Sequence, residues 1–472
     1  MTEAGATRGT QRAVLWVTCA ASFLFPFMGS SVNVALPSIG QGLGMTAVQL
    51  TWVATSFLLT SALLLVPFGW LGDTRGRKRV LVSGVATYVA GSALAGFAPT
   101  GSALIFARAV QGAGGSMLAS TAVAILISAF APGERGRVLG INAAALYAGL
   151  SLGPAVAGFV TQALGWRAVF LMNVPLGLLL LVTALSGLPS QQTGGRAPHF
   201  DRAGFAFYAV FLLGTMYGLT LLPRWEGVAG MATGLASLAL LVRTERRIPA
   251  PLIDVAMFRS NVTFALSNVA ALLNYAGTFA ATFLVSLYLQ LVSGLTPRTA
   301  GLVLIAMPLM QAVLSPLAGR LSDRVEPRML ASAGMGFTVI ALFVMSRFTL
   351  HTPVGAVVCA LALLGIGVGF FSSPNTNAVM TSVESRRYGV ASATLSTMRQ
   401  VGMVLSMGAA TVVINAIIGD IPVESAPLPL FVSAMRTTLV ICTLACLAGI
   451  FASLARGAIH THPQAAAGPT SH

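Results

Sequence analysis

The sequence predicts an all-α integral membrane protein of fourteen transmembrane helices. Composition is the first ground: 56% of the 472 residues are hydrophobic and 8% are charged, with a mean hydropathy of +0.84, which leaves too little polar surface to coat soluble domains. The second is the form of the apolar runs, which extend for about 20 residues without alternation. A chain surrounded by lipid must satisfy its own backbone hydrogen bonds as helices or as a closed barrel, and non-alternating runs select helices. The third is the placement of charge. A formal charge of +15 would suggest nucleic acid in a soluble protein, but here the basic residues lie between apolar runs on alternate sides, so the partner expected is the lipid bilayer and not nucleic acid.

The first run, 12–36, is longer than a signal-peptide core and reads as a retained helix. With 48–70, 80–98, 102–128, 138–160 and 166–187 it forms a six-helix unit, assigned to residues 1–190. Two further runs, 204–222 and 226–242, fall within a linker region at 191–260. The runs 262–290, 298–318, 329–346, 353–372, 388–418 and 430–455 form a second six-helix unit at 261–456, followed by a tail at 457–472 whose Ala, Pro, Gly and Ser content predicts disorder. An even number of spans returns both termini to one side. Of the 27 basic residues, Arg167, Arg224, Arg298 and Arg347 fall on the opposite side and Arg108, Arg399 and Arg436 within spans. The remaining 20 share the side of the termini, which marks it as cytoplasmic.

Repetition supports two related units. Gly69-Trp70-Leu71-Gly72-Asp73 after the second span recurs as Gly319-Arg320-Leu321-Ser322-Asp323 after the tenth, and Glu134 after the fourth span matches Glu384. Both offsets are 250 residues. Cys19, Cys359, Cys442 and Cys446 all lie in apolar runs and form neither a disulfide framework nor a metal framework. His460, His462 and His472 are in the tail, and no phosphate-binding glycine loop with its lysine is present. The sequence therefore points to no metal, no cofactor and no enzymatic activity.

Three motifs carry chemistry. In the loop from Gly69 to Leu81, Gly69 and Gly76 let helix ends approach, while Asp73 beside Arg77 and Lys78 can pair and latch them; Gly319, Asp323 and Arg324 repeat the arrangement. In the fourth span Arg108 and Gln111 share a face with Gly112, Gly115 and Ala119, presenting an intramembrane arginine beside a closely packed strip. In the fifth span Gly140, Gly149, Gly153, Pro154 and Gly158 form a small-residue pattern with a bend at the proline.

The loop resembles the signature of the major facilitator superfamily. The arginine and glycine patterns of the fourth and fifth spans are similar to those of drug:proton antiporters. Val32-Asn33-Val34-Ala35-Leu36-Pro37, Trp166-Arg167 with Asn173-Val174-Pro175, Pro251-Leu252-Ile253-Asp254 and Tyr288-Leu289-Gln290 extend the resemblance to the fourteen-helix branch over nearly the whole chain. It implies the major facilitator fold, with two six-helix bundles around a central cavity and two accessory helices. It also implies a monomer of a bacterial cytoplasmic (inner) membrane with both termini inside, exporting amphipathic small molecules by alternating access in exchange for protons.

One departure changes the expected substrate. That branch usually has an aspartate where this chain has Met28, and all twelve acidic residues fall in loops, tails or helix ends. A cationic drug in a low-dielectric cavity needs a counter-charge and a proton carrier needs a titratable group. What lies near mid-depth instead is Arg399, on a helical face with Ser392, Ser396, Gly402 and Ser406. The expectation is a neutral, zwitterionic or anionic substrate rather than a quaternary cation. Arg108, Gln111 and Arg399 would supply donors, with Asn33, Asn274 and Tyr275 as lesser candidates. Packing roles remain open for each of these residues, as do a proton-linked importer and a non-transporting receptor or scaffold on the same fold.

Overall fold

A computed structural model describes residues 8–131, 134–189, 200–246, 248, 254–322, 324–384, 387–419, 421–422 and 425–457. Fourteen of its helices are long and apolar enough to span a membrane. They are α1 (Arg8–Leu43), α2 (Ala47–Arg75), α3 (Arg77–Gly96), α4 (Gly101–Ala129), α5 (Arg135–Leu164), α6 (Trp166–Gly187), α7 (Arg202–Leu221) and α8 (Trp225–Glu245). The second half holds α9 (Val262–Val292), α10 (Pro297–Leu321), α11 (Pro327–Ser346), α12 (Val354–Thr381), α13 (Tyr388–Ile417) and α14 (Leu428–Ala455). Asp323, much of both linkers and the tail from 458, with its three histidines, lie outside the described residues.

The helix ends follow local chemistry. Thr46 opens α2 with a capping box, its hydroxyl accepting from the Gln49 amide while the Gln49 side chain accepts from the Thr46 amide. Gly76, at φ 103°, closes α2 and begins α3 with no intervening loop, a conformation that a residue with a Cβ rarely adopts. Several helices run past their apolar spans. The largest difference is in α12, which continues nine residues beyond the expected 372 to Thr381, because its polar end is bonded to neighbouring helices.

In the first unit α1 packs along α5, while α2 and α3 flank α4; in the second α9 packs on α13 and α14, and α12 lies between α10 and α11. Glycines set the close approaches. A Cβ at Gly149 would stand 2.4 Å from the Phe23 carbonyl oxygen of α1, and one at Gly153 would stand 2.1 Å from the Ser30 hydroxyl. The accessory pair α7–α8 forms a hairpin, and α7 lies against the seam between the units. Tyr208 of α7 donates to the Ala62 carbonyl of α2 at 3.1 Å, while Asn415 of α13 donates to the Thr220 and Leu222 carbonyls at 3.2 and 3.1 Å.

The units meet in the half of the membrane far from the termini. There Ser286 and Gln290 of α9 donate to the Asn33 and Val34 carbonyls of α1 at 2.7 and 2.9 Å, and the Thr411 hydroxyl of α13 lies 2.8 Å from that of Thr51 of α2. The Ala47 amide reaches the Ile421 carbonyl at 3.1 Å. Gly158 and Gly301 interlock α5 with α10, since a Cβ at either would fall within 2.5 Å of the other helix's backbone oxygen. Toward the termini the units part. The second unit has there a separate core cluster around Met257, Phe264, Met335, Phe371 and Leu395. The end of α5 is exposed at Gly140, Ala143, Ala144, Leu146 and Ala148, with Val138 and Asn142 on its buried face, and the end of α13 is exposed at Tyr388, Gly389, Val390, Ser392 and Ala393, with Ala391 and Leu395 on its buried face. A vestibule thus opens on the face that carries the termini.

Candidate functional site

The vestibule narrows onto a polar cluster contributed by five helices. Arg399 lies near the middle of α13, partly exposed, and its Nη2 donates to the Thr376 hydroxyl of α12 at 2.6 Å. Its guanidinium carbon is 5.7 Å from the centroid of the Tyr275 ring of α9, and the Tyr275 and Ser372 hydroxyls are 3.4 Å apart. Gly402 makes this possible. One turn beyond Arg399, its missing Cβ would lie 2.5 Å from the Leu272 carbonyl oxygen and 3.0 Å from the Tyr275 Cβ, so any side chain would push α9 and its tyrosine away.

Tyr147 of α5 brings in the first unit. It lies against Ser315 of α10 and within electrostatic reach of Tyr275 and Arg399. Its direction follows from the glycine stripe: Gly149 faces α1, and a residue two positions earlier points about 160° away, toward α10. Arg399 Nε, Gln311 Oε1 and Gln400 Oε1 have no hydrogen-bond partner within the protein, although Gln311 and Gln400 are buried. The Gln400 amide donates across the seam to Ser61 of α2 at 3.3 Å. Every Asp and Glu among the described residues lies in a loop or within three residues of a helix end. The cluster therefore combines a guanidinium, hydroxyls and aromatic faces with no described carboxylate beside it, a set suited to a polar or anionic group carried on an apolar body.

Of the expected cavity residues, Arg399 and Tyr275 are brought together here. Arg108 is not with them. It is 1% exposed in the core of the first unit, with Nε donating to the Val53 carbonyl at 3.0 Å, Nη1 bonded to Gln111 and its guanidinium 4.3 Å from the Phe57 ring centroid. From Gln111 a chain of bonds runs through Ser92 to Tyr88, Asn173 and the Met28 sulfur. Met28 is fully buried within the unit and does not face the vestibule. Asn274 is also fully buried, against Cys446, with neither end of its amide bonded. Asn33 is 7% exposed, and its carbonyl serves the contact with Ser286 on the far face.

The latch residues hold the first unit together at the termini face. Asp73 pairs with Arg77 at 2.8 Å, and Arg77 donates to the Ala124 carbonyl of α4 at 3.3 Å. Lys78 caps the end of α6 through the Leu185 and Leu188 carbonyls. Gly69 approaches Ser120 of α4 as Gly319 approaches Ser373 of α12, so the repeat is structural as well as textual. Arg324 continues the turn after α10, its amide bonded to the Leu321 carbonyl at 3.0 Å. Asn377 donates to Ser322 of that turn at 3.0 Å.

Sequence reasoning missed Tyr147, Gln311, Ser315, Ser372 and Thr376. Ser372 closes the assigned span 353–372, and Thr376 lies one turn beyond it. Arg456 was missed too. Just past α14 and 1% exposed, it donates to Ser267 at 3.1 Å and to Asn375 at 2.8 Å. Burial lowers its pKa from the usual guanidinium range to about 10, so it stays charged at neutral pH.

Comparison with known proteins agrees with this architecture. The family model described as Major Facilitator Superfamily matches residues 18–407 and 267–471. The chain is 29% identical over 396 residues to the riboflavin transporter RibZ of Clostridioides difficile, covering 83% of this chain and 86% of that protein. It is 31% identical over 399 residues to the multidrug resistance protein Stp of Mycobacterium tuberculosis, covering 83% of this chain and 74% of that protein. A solved bacterial homologue of the human lysosomal transporter Spinster superposes with a TM-score of 0.68 at 15% identity, covering 96% of this chain and 98% of that one. With this match and its fourteen spans, the chain belongs to the Major Facilitator Superfamily, a family of transporters and not of enzymes, and fits its fourteen-helix drug:proton antiporter branch.

Proposed function

We propose that this transporter exports neutral or anionic amphipathic small molecules from the cytoplasm by alternating access. The observation that carries the reading is Arg399, a guanidinium at mid-depth at the base of the vestibule, with an unpaired Nε and no described carboxylate near it. Such a group repels a quaternary cation and attracts a carboxylate, sulfonate or polarised carbonyl, while Tyr275 and Tyr147 offer flat apolar faces to the rest of the molecule. The excess of basic residues on the termini face supports a cytoplasmic assignment for that face and a bacterial inner-membrane setting. The vestibule then opens inward, the state in which an exporter loads. The chain works as a monomer in this reading, since both units and all five contributing helices belong to one polypeptide.

The test is transport by the purified protein in liposomes, comparing taurocholate as an amphipathic anion, riboflavin as a neutral amphiphile and tetraphenylphosphonium as a cation. Riboflavin is included because it names the relative RibZ. Taurocholate or riboflavin should move and tetraphenylphosphonium should not, and Arg399→Ala should reduce taurocholate transport at least about tenfold, the loss of one charge-assisted pair. Transport of the cation alone would reject the reading. Repeating the assay with an imposed pH gradient tests the proton coupling that the branch resemblance implies.

A further inference from the structure

We infer that the accessory helix α8 carries a binding site for one anionic phospholipid of the leaflet on the termini side, its phosphate held by Arg243 and Arg246 and an acyl chain laid along the apolar stripe beside them. The site is separate from the Arg399 cluster and does not depend on which substrate that cluster takes.

Of the fourteen spans α8 is the least buried, and its packing partner is α7. The face it buries there is made by Gly234, Ser237, Leu241 and Glu245. The Ser237 hydroxyl donates to the Phe207 carbonyl at 2.8 Å, and a Cβ at Gly204 would stand 2.7 Å from Glu245 Oε1. Roughly 120° around the helix from that face, Leu235, Leu238, Ala239, Val242, Arg243 and Arg246 line a groove of about 670 Å³. Their spacing of three, four, seven, eight and eleven residues from the first makes them one stripe. Four apolar side chains are followed by two guanidinia at the helix end.

Position selects a lipid as the occupant. Leu235 to Val242 lie inside the span, where the surroundings are acyl chains, while Arg243 is in its last turn and Arg246 is the residue just past it, at the level of the headgroups. A groove of this volume is in the range of small-molecule sites, more than an inorganic ion fills. A soluble anion would meet the guanidinia and leave the apolar stripe uncovered, whereas a phospholipid covers both.

Charge selects the headgroup. The carbonyl end of a helix carries about half a negative charge, so two arginines leave a net positive charge there. Glu245 is the one acid between residues 227 and 253, and it is 3% exposed on the face toward α7, outside the groove. The ion pairs among the described residues, Arg77 with Asp73 and Arg387 with Asp254, involve neither arginine. The excess favours a headgroup of net negative charge, as in phosphatidylglycerol, over phosphatidylcholine, whose amine cancels its phosphate. A basic residue beside a lipid surface raises affinity for anionic lipid about fivefold, so two give a preference of roughly thirtyfold.

The experiment is lipid retention by the full chain in dodecyl maltoside, read by native mass spectrometry during titration with phosphatidylglycerol or with phosphatidylcholine of the same acyl chains. Phosphatidylglycerol should be retained at a concentration at least about tenfold lower and should raise the melting temperature. Arg243→Gln/Arg246→Gln should abolish that preference. Arg8→Gln/Arg12→Gln, which removes the same charge from exposed positions at the start of α1 on the same face, should keep it. Ala239→Trp, which fills the groove with both arginines intact, should weaken phosphatidylglycerol retention several-fold, and inorganic phosphate should not displace the lipid. Equal retention of the two lipids, or an equal loss in both arginine pairs, would overturn the site in favour of diffuse attraction to a basic face. Displacement by inorganic phosphate, with Ala239→Trp without effect, would overturn it in favour of an anion site that needs no acyl chain.

Discussion

Arg108 and Arg399 have similar sequence signatures and different surroundings. Arg108 is bonded to a backbone carbonyl and a glutamine and stacked on Phe57, all within one unit, whereas Arg399 is underpaired where both units converge. Truncation should separate them. Arg108→Ala leaves the Gln111 carbonyl and the Val53 carbonyl without their donor and empties a packed volume, a loss of about 3 kcal/mol. A lowered melting temperature in detergent, with an unchanged KM for whatever transport remains, is the expected outcome. Arg399→Ala should leave the melting temperature nearly unaltered and impair transport, because its interactions inside the protein are few. An Arg399→Ala variant that unfolds as readily as Arg108→Ala would assign both residues to packing. That an arginine inside a span is exceptional was legible from the sequence, since charge in lipid is costly. Which of the two was structural was not, because the partners of Arg108 are a carbonyl and a ring that have no polar signature of their own.

At the scale of helices, the positions and order of all fourteen spans followed from hydropathy, and the glycine stripe of α5 announced a close approach. Its targets could not be read. Gly149 and Gly153 meet α1 within the unit, while Gly158 crosses the seam to Pro297 and Arg298 of α10. Only the last should govern conformational change. Leucine at Gly301, whose Cβ would begin 2.3 Å from the Pro154 carbonyl oxygen, would wedge the far-face seam at a strain of about 1–3 kcal/mol. The far face should then open, seen as faster labelling of Asn33→Cys by a membrane-impermeant maleimide, and transport should fall several-fold in protein that remains monodisperse. Unchanged labelling would mean that α5 and α10 do not form the far gate. The end of α12 marks the limit of hydropathy reading. Ser372 to Asn377 is polar enough to resemble a loop, yet Asn375 donates to the Ser267 carbonyl at 3.1 Å, and Thr376 and Asn377 are bonded to Arg399 and Ser322. Polar residues satisfied by neighbouring helices are indistinguishable, in a single sequence, from polar residues facing water.

At the scale of the molecule, function requires the two units to rock about the site so that the far seam opens as the near side closes. The helices α2 and α13 lie on that seam, and α7 grips both, through Ala62 on one and Asn415 on the other. Since α7 follows both sides of the seam, its bonds belong to the hinge, and those of Thr51 with Thr411 to the gate. A disulfide test distinguishes hinge from gate. The Thr51 and Thr411 hydroxyls are 2.8 Å apart, close enough that cysteines at both positions can form a bond of about 2 Å with little backbone movement. In a background lacking Cys19, Cys359, Cys442 and Cys446, oxidation of the Thr51→Cys/Thr411→Cys pair should arrest transport almost completely, and reduction should restore it. Tyr208→Phe, which removes only the bond from α7 to the Ala62 carbonyl on one side of the seam, should leave most of the flux. If the locked gate still transported, the far-face contacts would not open during the cycle, and rocking of the two units about Arg399 would be excluded.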